Sequence, residues 1–137
     1  MATGIDHPES LTGGGHAGAV TLRDLRKWRR EGVTFPCLTA YDATLAKWLA
    51  RSGVPVLLVG DSAAEVVLGE SGTIHAPLEF LITITAAVKR GAPNAFVMAD
   101  MPFMSYQASE SKAIENAGRF MTEGRADAVK MEADHTY

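Results

Sequence analysis

The chain has 137 residues, 47% apolar and 21% charged, and its 13 Lys and Arg against 16 Asp and Glu leave a net charge of −3. That describes one ordinary folded domain with enough apolar side chain to offset the entropy lost on folding. It argues against a nucleic-acid partner: phosphate binding needs concentrated Lys and Arg, and the only dense basic run, 23–30, is interrupted by Asp24 and reads as a solvated helix face.

The longest unbroken apolar stretch, 54–59, is far short of the ~20 residues that a membrane-spanning helix needs, so no membrane partner is expected. Residues 1–19 carry Asp6, Glu9 and Gly13-Gly14-Gly15, with neither a basic start nor an apolar centre. They are expected to form a flexible lead-in rather than a secretion signal, which points to a cytoplasmic protein. The single Cys37 excludes an internal disulfide and is expected inside a strand.

In chain order, Thr21 and Asp24 have capping-box spacing, and a first helix is predicted from residue 22 to about residue 30, ended by Gly32. Leu22, Leu25 and Trp28 form its apolar stripe. Strands are predicted at 34–40, 54–59, 95–99 and 126–131, where apolar and β-branched residues run together. Helical spacing fills 43–51, 78–89 and 110–122. Asp42 and Ser109 suit N-caps, Pro77 suits a first turn, and Gly53, Gly91 and Gly124 suit helix ends. Alternating strands and helices imply parallel pairing through right-handed crossovers, hence an α/β protein, either doubly wound or a barrel. Periodicity does not choose between the two.

Every strand run ends at or just before an acidic residue: Asp42, Asp61, Asp100 and Glu132. In parallel α/β folds the carboxyl ends of all strands open on one face, so these groups can converge. Converging carboxylates repel unless a cation joins them, and an all-oxygen set favours a hard ion such as magnesium. Asp42, directly before a helix, is better read as a cap. Lys130 lies two before Glu132, so the two share one side of a strand. A charged pair at an apolar strand end more often belongs to a site than to a surface ion pair. His75 is read as a solvated loop residue.

Five segments, Thr39-Ala40-Tyr41-Asp42, Leu58-Val59-Gly60-Asp61-Ser62, Lys89-Arg90-Gly91-Ala92-Pro93, Ala99-Asp100-Met101-Pro102-Phe103-Met104 and Val129-Lys130-Met131-Glu132, resemble the ketopantoate hydroxymethyltransferase (3-methyl-2-oxobutanoate hydroxymethyltransferase) family. The resemblance runs from about Val20 to Glu132. It implies a (β/α)8 TIM barrel, assembled as a homo-oligomer, in pantothenate and coenzyme A biosynthesis. The implied reaction moves a hydroxymethyl group from 5,10-methylenetetrahydrofolate to 3-methyl-2-oxobutanoate through a magnesium-stabilised enolate. By motif, Asp61 and Asp100 would hold magnesium, with Glu132 at the same ion directly or through water. Ser62 and Lys130 would bind the oxo acid alongside Asp61 and Asp100.

A barrel of eight such units needs at least ~200 residues. The expectation is therefore a 1–19 lead-in and, at 20–137, the N-terminal half of a barrel: about four βα units after a helix, inactive alone. The family's general base, a glutamate on a later strand, is expected beyond Tyr137, and no catalytic base is assigned within the chain. The alternatives are a related oxo-acid enzyme of the phosphoenolpyruvate mutase and isocitrate lyase type, and a non-catalytic barrel fragment paired with another chain through exposed strand edges.

Overall fold

A computed structural model describes residues 18–132. Most of the expected flexible lead-in lies outside the described residues. Val20 is already in the core, and its amide donates to the Asn94 carbonyl at 2.8 Å.

Helix α1, Leu22–Glu31, begins where the capping box predicts. The Thr21 hydroxyl accepts from the Asp24 amide, and the Asp24 carboxylate accepts from the Thr21 amide at 2.8 Å, so two amides that lack helical partners are satisfied. Gly32 ends the helix at φ 70°, a left-handed conformation that glycine adopts without strain. The apolar stripe is narrower than expected: Trp28 is buried and packs against Phe35 with ring centroids 5.2 Å apart and planes tilted by 52°, Leu25 is partly covered, and Leu22 is exposed.

There follow β1 Cys37–Thr39, α2 Ala43–Arg51, β2 Val56–Val59, α3 Ala63–Val66, a 3₁₀ turn Thr73–His75, α4 Leu78–Gly91, β3 Phe96–Asp100, α5 Glu110–Thr122 and β4 Ala128–Lys130. Helices α2 and α5 occupy the predicted residues because their caps are unambiguous. The Asp42 carboxylate accepts from the Thr44 and Leu45 amides, and the Ser109 hydroxyl from the Lys112 amide. Pro77 stands one place earlier than predicted, as the N-cap of α4. The strands are shorter than the apolar runs, since apolar residues continue past the hydrogen-bonded ladder. Helix α3 and the 3₁₀ turn fall in a stretch with no helical pattern.

Of the three glycines expected at helix ends, Gly53 has a positive φ of 87° just past α2. Gly91 and Gly124 answer to packing instead. A Cβ on Gly91 would run into the Ala43 backbone at the start of α2, and one on Gly124 would lie 2.6 Å from the Phe120 carbonyl oxygen.

The four strands form one parallel sheet in the order β1-β2-β3-β4. A doubly wound sheet reverses its strand order at a switch point; here the order runs straight through. Successive right-handed crossovers in one direction put the helices on one face, as in a segment of a (β/α)8 barrel. The order thus settles the choice that periodicity left open. Leu57, Val59, Val97 and Ala99 belong to the larger core together with Leu81, Val88 and Phe120 from the helices. Alternate strand residues point the other way. There Val56 and Phe96 pack on Val20 and Trp28, so α1 covers the amino-terminal end of that face, while Leu58 and Met98 are only partly buried.

Strands β1 and β4 are the sheet edges. Cys37 lies in β1, opposite Val56, but it is exposed rather than in a strand interior, because β1 is paired on one side only. Among the described residues no helix is long and apolar enough to cross a membrane.

Candidate functional site

The strand ends deliver Asp61, Asp100, Lys130 and Glu132 to one cavity, whereas Ser62 is not among the residues that line it. In the β3–β4 register Asp100 stands directly opposite Lys130. Both lie on the face opposite the larger core, beyond the end that α1 covers, two and four residues past Met98 and Phe96 for Asp100. The Lys130 ammonium donates to Asp100 Oδ1 at 2.7 Å and to Glu132 Oε1 at 2.9 Å. The Asp100 side chain is 8% exposed and that of Glu132 78%, so the lysine bridges a buried carboxylate to one at the rim. Asp61, just past β2, donates its backbone amide to Asp100 Oδ2 at 3.3 Å.

These groups surround a cavity of about 250 Å³ whose remaining wall includes Thr73, Ile74, Met101, Phe103 and Tyr106. One side is ionic, and the other mixes apolar Ile74, Met101 and Phe103 with Thr73, Tyr106 and Gln107, a combination that can take a small acid with an aliphatic tail. His75, next to this wall, is exposed, as expected of a solvated loop residue. Asp42 is occupied as the cap of α2 and stays out of the site.

The electrostatics follow from this crowding. Burial, together with the charges of Asp100 and Glu132, raises the Asp61 carboxyl above its ordinary range; Lys130 and the Ser62 amide pull the other way without cancelling it. Burial disfavours the Lys130 ammonium, but hydrogen bonds to Asp100 and Glu132 outweigh it and lift the group to about 12. The cluster holds three carboxylates against one lysine, an excess of negative charge open to a further cation.

Two features beyond the sequence reading shape the site. The Tyr41 and Ser62 hydroxyls lie 2.9 Å apart in a hydrogen bond, so the end of β1 aims the serine that follows Asp61. Gly60 keeps a gap open: a Cβ there would sit 2.8 Å from Ser62 Oγ and 3.6 Å from Asp100 Oδ2. A glycine between two strand-end oxygens is a legible signal of close approach to a ligand, whereas the partner of Ser62 could not be read from spacing.

Asp61 and Asp100 are the oxygen donors a hard cation would use: the Asp61 amide meets Asp100 Oδ2 at 3.3 Å, Gly60 leaves space beside that oxygen, and magnesium is commonly held by one or two carboxylates with waters completing its shell. Glu132 is joined to Lys130 rather than to the other two carboxylates. Among the described residues no three His, Cys, Asp or Glu side chains form a set arranged to hold a metal.

Fold and site together define a parallel βα protein that gathers carboxylates and a lysine at its strand ends, the place where barrel enzymes carry their chemistry. The chain belongs to the ketopantoate hydroxymethyltransferase family, whose profile matches residues 19–137. It is 49% identical over 126 residues to a 3-methyl-2-oxobutanoate hydroxymethyltransferase of Thermobifida fusca, an overlap of 92% of this chain and 45% of that protein. Its identity to the protein of the same description from Pseudothermotoga lettingae is 55% over 95 residues, 69% of this chain and 36% of that one. For Aquifex aeolicus the figures are 48% over 114 residues, 83% and 43%. The chain therefore spans less than half the length of these relatives.

Proposed function

We propose that this chain supplies the oxo-acid-binding half of a hydroxymethyltransferase that moves a one-carbon unit from 5,10-methylenetetrahydrofolate to 3-methyl-2-oxobutanoate, giving ketopantoate. The observation that carries the reading is the convergence of Asp61, Asp100, Lys130 and Glu132 on one cavity with an apolar wall. Family membership and the relatives' shared description as 3-methyl-2-oxobutanoate hydroxymethyltransferases support the choice of reaction.

Asp61 and Asp100 would hold magnesium, which, when bound, polarises the keto acid so that its enolate is accessible. The rest falls to the chain's own side chains. Ser62, aimed by Tyr41, offers a hydroxyl to the acid's carboxylate. The Lys130 ammonium lies beside the developing oxyanion, where a fixed positive charge in a shielded site counts for more than in water. Its raised basicity keeps it protonated through the neutral range. Ile74, Met101 and Phe103 face the aliphatic tail and keep water from it. Glu132 acts at the rim, through Lys130 or through water.

Removal of the C3 proton is assigned to the part of the family's length that this chain does not span. The carboxylates described here are not assigned that step: Asp100 and Glu132 are each hydrogen-bonded to Lys130, and Asp61 is given to the cation. The homo-oligomer and the cytoplasmic setting belong to the same proposal.

The test is product formation by a version extended to the length of the relatives. With magnesium, 3-methyl-2-oxobutanoate and 5,10-methylenetetrahydrofolate it forms ketopantoate. Turnover of phosphonopyruvate or isocitrate in its place would assign the chain to the related oxo-acid enzymes and contradict the reading.

A further inference from the structure

Glu132 lies two residues beyond the last ladder residue of an edge strand. Strand β4 ends at Lys130, whose carbonyl accepts from the Met101 amide at 3.0 Å. Backbone that leaves the end of an edge strand opens readily unless something holds it. Here the Tyr106 hydroxyl does so from across the cavity, accepting from the Glu132 amide at 3.1 Å and donating to the Glu132 carbonyl at 2.8 Å. One phenol thus satisfies both backbone groups of the residue whose carboxylate meets Lys130.

Tyr106 is itself held from behind. Its loop, between β3 and α5, turns at Met104 with φ 65° and closes with the Ser105 amide donating to the Pro102 carbonyl at 3.0 Å. Asn116, buried on α5, donates from Nδ2 to the Ser105 carbonyl at 2.6 Å. Among the described residues, the buried Asn116 Oδ1 and Ser105 Oγ have no protein hydrogen-bond partner.

We propose that Tyr106 is a positioning residue: its hydroxyl fixes Glu132, and thereby divides the Lys130 ammonium between Asp100 and Glu132 at the mouth of the cavity. Without that hydroxyl Glu132 swings free, and Lys130 collapses onto Asp100 alone, away from the place where an acid would meet it. The binding consequence rests on the oxo-acid reading above; the placement of Glu132 does not.

The experiment compares the chain with its Tyr106→Phe variant, which keeps the ring and removes only the oxygen. By NMR without ligand, exchange of the Glu132 amide accelerates at least about tenfold, while the Val97 and Ala99 amides and the thermal midpoint are unchanged. In calorimetry, 3-methyl-2-oxobutanoate affinity in magnesium falls about tenfold while affinity for magnesium alone is unchanged, a split that a merely structural residue would not give. Unchanged exchange at Glu132 overturns the proposal. So does faster exchange with undiminished oxo-acid affinity. If the parent chain has no oxo-acid affinity, the functional reading fails, and exchange at Glu132 still decides whether Tyr106 holds that residue.

Discussion

Lys130 stands opposite Asp100 in the β3–β4 register and bonds to it at 2.7 Å, across 30 positions of sequence. The pair is asymmetric: the carboxylate is almost wholly buried and the lysine about a third exposed. Removing the lysine therefore strands a buried charge, whereas removing the carboxylate leaves a lysine still paired with Glu132.

Lys130→Met is accordingly expected to destabilise the chain by about 1–3 kcal/mol, the range for an unpaired buried polar group, reduced here by the partial exposure of the pair. It should also weaken oxo-acid binding while sparing magnesium. Urea denaturation and calorimetry check both; a variant as stable as the parent would show that the Asp61 amide alone satisfies the buried Asp100 carboxylate.

Asp61→Asn carries the opposite sign. The Asp61 carboxyl is raised in the fold by burial and by its acidic neighbours, so its ionisation costs stability as pH climbs through the carboxylate range. Below that range the group is protonated in both folded and unfolded chains and costs nothing. The variant should thus match the parent in acid and gain a higher melting temperature near neutral pH, measured without magnesium. A lower melting temperature at neutral pH would refute the crowding.

Gly91→Ala tests the packing of α2 on α4. The new Cβ would meet the Ala43 backbone, which cannot rotate away, so a loss of about 1–3 kcal/mol is expected from the forced shift. Ordinary helix propensity predicts the reverse, since alanine outranks glycine inside a helix. A stabilised variant in thermal denaturation would mean that the two helices part without cost.

Much of this architecture was legible in the sequence. Asp42 and Ser109 marked α2 and α5 to the residue because a capping side chain is a local device. Asp61, Asp100 and Lys130 could be assigned to one face because parallel strands carry their ends to one side. What stayed hidden depends on partners distant in sequence. The exposure of Cys37 follows from β1 being an edge, and the roles of Gly91 and Gly124 from neighbours that approach only in the fold. Helix α3 is four residues long, with Ala63 and Ala64 buried, too short for periodicity to reveal. The Tyr41–Ser62 and Tyr106–Glu132 bonds join loops and strand ends whose meeting no spacing rule foretells.

The central claim is that Asp61 and Asp100 together hold the cation on which oxo-acid binding depends. Titrating magnesium into the chain and into Asp100→Asn by calorimetry tests it most directly, followed by 3-methyl-2-oxobutanoate with and without the metal. The account predicts saturable magnesium binding that weakens by at least about tenfold in the variant, because a neutral amide offers a hard cation no charge, and oxo-acid binding that requires the metal. Equal magnesium affinity in the two proteins, or oxo-acid binding indifferent to magnesium, would contradict it.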